Sequence, residues 1–124
     1  MTLTAIQELV DRLMQQLLGG DTPTLRALRT QYDAASIREV SHTGVGLFVY
    51  FHIPQDIPRI EPADIMGGCA DIEMLGVELG ATCLLFVRGG HLHSLEVANY
   101  DEPWPEQVSV LGIRNVTPIG ASIG

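Results

Sequence analysis

The chain has 124 residues, 46% of them apolar, and its 15 acidic residues face only 7 basic ones, giving a formal net charge of −8. All seven cations are arginine, which excludes Schiff-base lysine chemistry and the P-loop cation, and the missing basic cluster excludes binding to a phosphate backbone. The longest apolar runs, such as residues 45–51, fall far short of the ~20 residues that cross a bilayer. The stretch MTLTAIQELVDRLMQQLL has neither a basic leader nor a continuous apolar core, so no secretory signal is expected and a cytoplasmic location is.

Taken in chain order, the first element is an amphipathic helix. Ile6, Leu9, Val10, Leu13, Met14, Leu17 and Leu18 recur at three- and four-residue steps between polar residues. Thr4 and Gln7 match a capping box, and Gly19-Gly20 supplies the stop. Asp21 or Thr22 then caps a second helix with Pro23 at its first position and Leu25, Leu28 and Tyr32 on its apolar stripe. A helical hairpin over residues 4–33 follows.

From residue 36 the period changes to two. SIREV pairs through SHTG with VGLFVYFHI, residues 45–53, where Val45, Leu47, Val49, Phe51 and Ile53 face one side and Gly46, Phe48, Tyr50 and His52 the other. The three prolines of residues 54–62 end the sheet there and make a stiff surface connection. ADIEM, residues 70–74, reads as a strand with one wet face, and TCLLFV, apolar on both faces, as a central strand. Gly89-Gly90 suits a tight type I′ turn, HLHSLEVANY returns, DEPWPE breaks the pattern, and QVSVLGI is a last short strand. Residues 117–124 read as a loose tail. The expected fold is a single α+β domain over residues 1–124: two N-terminal helices packed on an antiparallel sheet of about five strands, residues 36–113.

Few residues point to chemistry, and no catalytic residue, cofactor or metal is expected. His91 and His93 permit a shared metal, but the nearest acidic residue, Glu96, points to the opposite face unless a bulge intervenes. Cys69 and Cys83 do not have a zinc-finger spacing and are expected as reduced thiols. GASIG, residues 120–124, carries the letters of a nucleophile elbow without the following helix or a later histidine, and GVG, residues 44–46, lacks the third glycine of a dinucleotide site. Phe48, Tyr50 and His52 form a candidate ligand-binding face for a small molecule or a small enzyme, since a tyrosine and a histidine beside a carboxylate can move protons. Trp104, Tyr100 and Glu102 form a candidate partner-binding loop, because tryptophan is enriched among interface hot spots. The acidic surface would steer a basic protein partner.

The stretch GATCLLFVRGGHLHSLEVANYDEPWPE resembles a family of small uncharacterised bacterial proteins. In them an apolar strand, a charged residue, a glycine turn and a leucine-glutamate strand precede an aromatic, acidic and proline loop. The matching letters are Leu85, Phe86, Gly90, Leu92, Leu95, Glu96, Tyr100 and Pro105. The resemblance implies a shared hairpin and no catalytic site. In general character the chain is also similar to acidic bacterial immunity proteins. The expected function is therefore that of a non-enzymatic protein-interaction domain, with small-molecule binding as the alternative. Two helices cover one face of such a sheet, and the apolar residues of the other call for a homodimer.

Overall fold

The computed structural model describes residues 1–119. Its elements in chain order are α1 (Leu3–Leu17), α2 (Pro23–Asp33), β1 (Ser36–His42), β2 (Gly46–His52), β3 (Ile65–Met74), β4 (Val77–Arg88), β5 (His91–Asn99) and β6 (Val110–Thr117). The strands form one six-stranded sheet in the order β1-β2-β5-β4-β3-β6, antiparallel at every pairing. Both helices are N-terminal, so the expected α+β arrangement is present with six strands where about five were counted.

Helix α1 starts two residues before the expected box. Thr2 is its N-cap and accepts from the Ala5 amide at 3.1 Å, which leaves Thr4 inside the first turn. Helix α2 begins as its sequence dictates, with Thr22 accepting from the Leu25 amide at 3.1 Å and Pro23 at the first position. Arg29 closes the hairpin by donating to the free carbonyls of Leu18 and Gly20 at 2.6 and 2.7 Å, the groups a helix end leaves bare. The apolar stripe of α1 lies over β3 and β6, and α2 lies over β5. Beneath them Leu47, Val49, Ala70, Ile72, Cys83, Leu85, Leu95 and Val97 complete one contiguous core.

Three boundaries differ from the periodic reading. β3 begins at Ile65 and passes through Gly68, where the register against β4 shifts between Gly67 and Cys69. Gly68 is thus the extra residue of a bulge inside the strand, upstream of the expected start at residue 70. β6 starts later and ends later than QVSVLGI, pairing Met74 with Val110 and Cys69 with Thr117. As an edge strand it tolerates the polar Arg114 and Asn115, which hide it from an apolar count. Ile119 is buried within the core beside Gly68, so the chain stays docked through the first residues of the expected tail, and residues 120–124, with the GASIG letters, lie outside the described residues.

The 54–62 segment is more than a surface connection. Ile60 is buried, its amide donates to the Gly90 carbonyl at 2.9 Å, and the Gln31 side chain reaches both Pro58 and Gly90 carbonyls at 3.0 and 2.9 Å. Gly89 and Gly90 both take positive φ, as the tight turn between β4 and β5 demands. A side chain at Gly90 would meet the Arg59 side chain at 2.6 Å.

Candidate functional site: the uncovered sheet face

The helices occupy one side of the sheet. Along β4 burial alternates: Ala81, Cys83, Leu85 and Val87 are buried, while Thr82, Leu84 and Phe86 are half-exposed. β2 alternates likewise, with Leu47, Val49 and Phe51 inward and Phe48 and Tyr50 half-exposed. Side chains on a strand alternate in direction, so the half-exposed set shares one face. Among the described residues no helix or loop lies over it.

Two register shifts shape this face. On β1 the shift falls between Ile37 and Glu39, making Arg38 the extra residue, and its guanidinium carbon lies 5.5 Å from the centre of the Tyr50 ring. On β5 Ser94 pairs with Phe86 and Leu92 with Val87, so His93 is extra. The bulge turns His93 to the same side as Ser94, where its ring meets Tyr50 edge-on at 5.7 Å and its Nδ1 lies 3.0 Å from the Ser94 hydroxyl. Phe48 stacks on Tyr50 at 6.1 Å, and the Arg88 guanidinium carbon lies 5.6 Å from the Phe86 ring centre. Phe48, Tyr50, Phe86, Arg88, His93 and Ser94 together line a shallow depression of about 190 Å³.

Of the expected ligand face, Phe48 and Tyr50 are brought together, whereas His52 is exposed at the end of β2, opposite Ser36. The histidine beside Tyr50 is His93, which a strict two-residue alternation could not reveal. That bulge also brings Glu96 to the same face, opposite Phe48 on one side and Leu84 on the other. His91 is engaged elsewhere, its Nε2 donating to the Ile57 carbonyl at 2.8 Å. Among the described residues no three His, Cys, Asp or Glu side chains are grouped closely enough to hold a metal ion.

The partner loop divides. Trp104 is half-buried against the core, its indole N–H directed at the Met1 sulfur at 3.3 Å and its amide bonded to the Gly44 carbonyl at 3.0 Å. Tyr100 is exposed and lines a wider concavity of about 490 Å³ with Asp71, Glu73, Glu78, Leu79 and Leu111. Glu102 accepts from the Glu78 amide at 3.2 Å at the margin of that concavity. Arg114 pairs with Glu73, and Asn115 donates to Asp71 at 2.8 Å, so two of its three carboxylates are already engaged.

Burial raises the Cys83 thiol to about 12, and it also raises the Tyr32 hydroxyl, which hydrogen-bonds to Asp11, above its usual range. Neither group faces the depression. Both cysteines are free thiols, Cys69 half-exposed and Cys83 buried.

No family model matches the chain, and no curated protein or solved structure is significantly similar to it. Among the described residues, no helix is long and apolar enough to cross a membrane.

Proposed function

We propose that the chain is a non-enzymatic protein-interaction domain of a bacterial cytoplasm, and that its contact surface is the uncovered sheet face. One observation carries this reading: four large side chains, Phe48 and Tyr50 on β2 and Leu84 and Phe86 on β4, stand half-exposed on either side of β5, on the sheet face turned away from the two helices. Monomers seldom gather so many large apolar and aromatic side chains on one open face, here with Ser94 and Glu96 of β5 between them. A homodimer is the simplest complex that covers it. A basic protein partner, in the manner of an immunity protein's target, is the second form, and the Glu78 carboxylate beside the wider concavity together with the net charge of −8 favours it.

The small-molecule reading has less support. The depression beside Tyr50 is about 190 Å³, below the roughly 300–1,000 Å³ typical of ligand pockets. A thermal-shift screen of metabolites separates the readings: a compound that raises the melting temperature of the wild type, with the effect abolished by Tyr50→Phe or His93→Ala, favours a ligand site.

The interaction reading is tested with a photoreactive benzoylphenylalanine placed at Tyr50 and, as a control, at the exposed Gln15 of α1. Irradiation in extract is expected to give discrete protein adducts from position 50 and none from position 15. Equal labelling from both positions, or none from position 50, counts against the face as a contact surface.

A further inference from the structure

We propose that the occupant of the uncovered face is a second copy of the chain related by a two-fold axis that reverses the strand direction, so that Arg88 of each copy pairs with Glu96 of the other. This rests on the reading of the face as a contact surface and adds the partner and its orientation.

The strand neighbours of Glu96 on the open face are Phe48 and Leu84, both apolar. Glu96 is half-buried, and among the described residues the one ion pair is Arg114 with Glu73, so the Glu96 carboxylate has no cation of its own. A purely apolar partner laid over this face would bury that charge uncompensated, which costs several kcal/mol. The occupant must therefore bring a cation to Glu96.

Arg88 answers this need by symmetry. The row that pairs Phe86 with Ser94 runs across the middle of the face; Glu96 lies two residues beyond it on β5, and Arg88 lies two residues beyond it in the opposite direction on β4. Each two-residue step is about 7 Å, so the acid and the base stand at nearly equal distances on either side of the row. A two-fold axis laid along that row, in the plane between two stacked faces, exchanges its two sides. It sets each copy's Arg88 above the partner's row of Leu84 and Glu96, one strand spacing of about 4.8 Å to the side of the carboxylate, across the ~10 Å gap that separates packed sheets. An extended arginine spans that gap. The same operation places Tyr50 and Phe86 against their own copies near the axis, since both lie on the central row.

Other orientations lose this match. An axis parallel to the strands leaves the arginine end of one copy over the arginine end of the other and Glu96 over Glu96. At the β1 edge Arg38 and Glu39 are neighbours and largely offset each other, so they favour neither orientation. The area is sufficient in order of magnitude: six strands span about 24 Å, and with strands about 25 Å long the face offers on the order of 600 Å² in flat projection, and more in accessible surface, against ~800 Å² per partner in a standard interface.

Sedimentation velocity on four chains tests the proposal: wild type, Arg88→Glu, Glu96→Arg, and the swapped chain carrying both changes. The wild type is expected to sediment at twice the 13.5 kDa mass of one chain. Each single reversal sets like charges opposite each other twice per dimer and weakens association roughly tenfold or more. An equimolar mixture of the two single variants recreates both opposite-charge pairs and returns to two chains, as does the swapped chain alone. Recovery on mixing is itself proof that both single variants are folded. Single variants that associate as strongly as the wild type overturn the reciprocal Arg88–Glu96 pairing and leave the face as a contact surface. So does a mixture that fails to recover while circular dichroism shows both variants folded. A wild type that stays single at high micromolar concentration overturns the second copy as occupant. The contact-surface reading itself is decided separately by the cross-linker: equal labelling from positions 50 and 15, or none from position 50, overturns it.

Discussion

The side-chain carbonyl of Gln31 accepts a hydrogen bond from the backbone amide of Leu92 at 2.9 Å, joining helix α2 to the first turn-proximal residues of β5. The Gln31 side-chain nitrogen Nε2 donates to the carbonyls of Pro58 and Gly90, so one fully buried glutamine ties together helix, proline segment and hairpin turn. Replacing it by leucine keeps much of the volume but leaves the Leu92 amide and the Pro58 carbonyl without their partner. Each such group costs about 1–3 kcal/mol, so Gln31→Leu is expected to lose about 2–6 kcal/mol in urea denaturation. A loss below about 1 kcal/mol would show that water replaces the side chain.

Cys83 supplies a pH test. Its thiol rises from 9.0 to about 12, chiefly through burial. The folded state therefore holds the proton more tightly than the unfolded chain does. That contribution is complete below about pH 9 and is lost as the pH climbs from there toward 12. Cys83→Ala should flatten the fall of unfolding free energy between those limits, with the residual slope belonging in part to Tyr32, whose hydroxyl is raised by burial and by Asp11. Thiol labelling at pH 8 should also modify Cys69 faster than Cys83.

Gly46 faces the backbone of β5 with no room for a methyl group, since a Cβ there would sit 1.9 Å from the Val97 carbonyl oxygen. Gly46→Ala must push β2 away from β5. The expected loss is at least about 1–3 kcal/mol, the usual cost of overpacking, read as a lower melting temperature. Gly76→Ala is the comparison: a Cβ there meets nothing within 4 Å, so its cost comes from a φ of +78° alone.

Phe86→Ser removes a large half-exposed side chain from the open face while leaving the helix-covered core intact. Light scattering coupled to gel filtration should show weaker self-association, with the melting temperature of the single chain lowered by only a few degrees. A variant that associates like the wild type would direct attention to the wider concavity around Tyr100.

The helical hairpin, the β1-β2 pairing and the Gly89-Gly90 turn were legible in the sequence because each rests on a local signal: a 3.6-residue stripe, a two-residue alternation, a pair of residues able to take positive φ. What was hidden depends on single insertions. His93 is one extra residue in β5, and it moves Glu96 to the face that alternation from His91 and His93 denies it. Gly68 plays the same part in β3. Gln31 carries no local signal, because one polar residue in a helix reads as solvent-facing until its three distant backbone partners are known.

The strand order β1-β2-β5-β4-β3-β6 gives the sheet a seam. β1 with β2, and β3 with β4 and β5, are each joined to their chain neighbours by short turns, so both groups can zip up locally. Between them stands only the β2-β5 ladder, from Gly46 with Ala98 to Tyr50 with Ser94, whose partners are far apart in the chain. Closing that ladder carries the entropy of a long loop, against which the reward arrives late in folding. A partly folded chain with the seam still open would present two unpaired strand edges, those of β2 and β5, and with them a route to tangling with its neighbours by strand exchange. The glycine that lets β2 approach β5 so closely therefore guards the step on which correct assembly of a single chain turns.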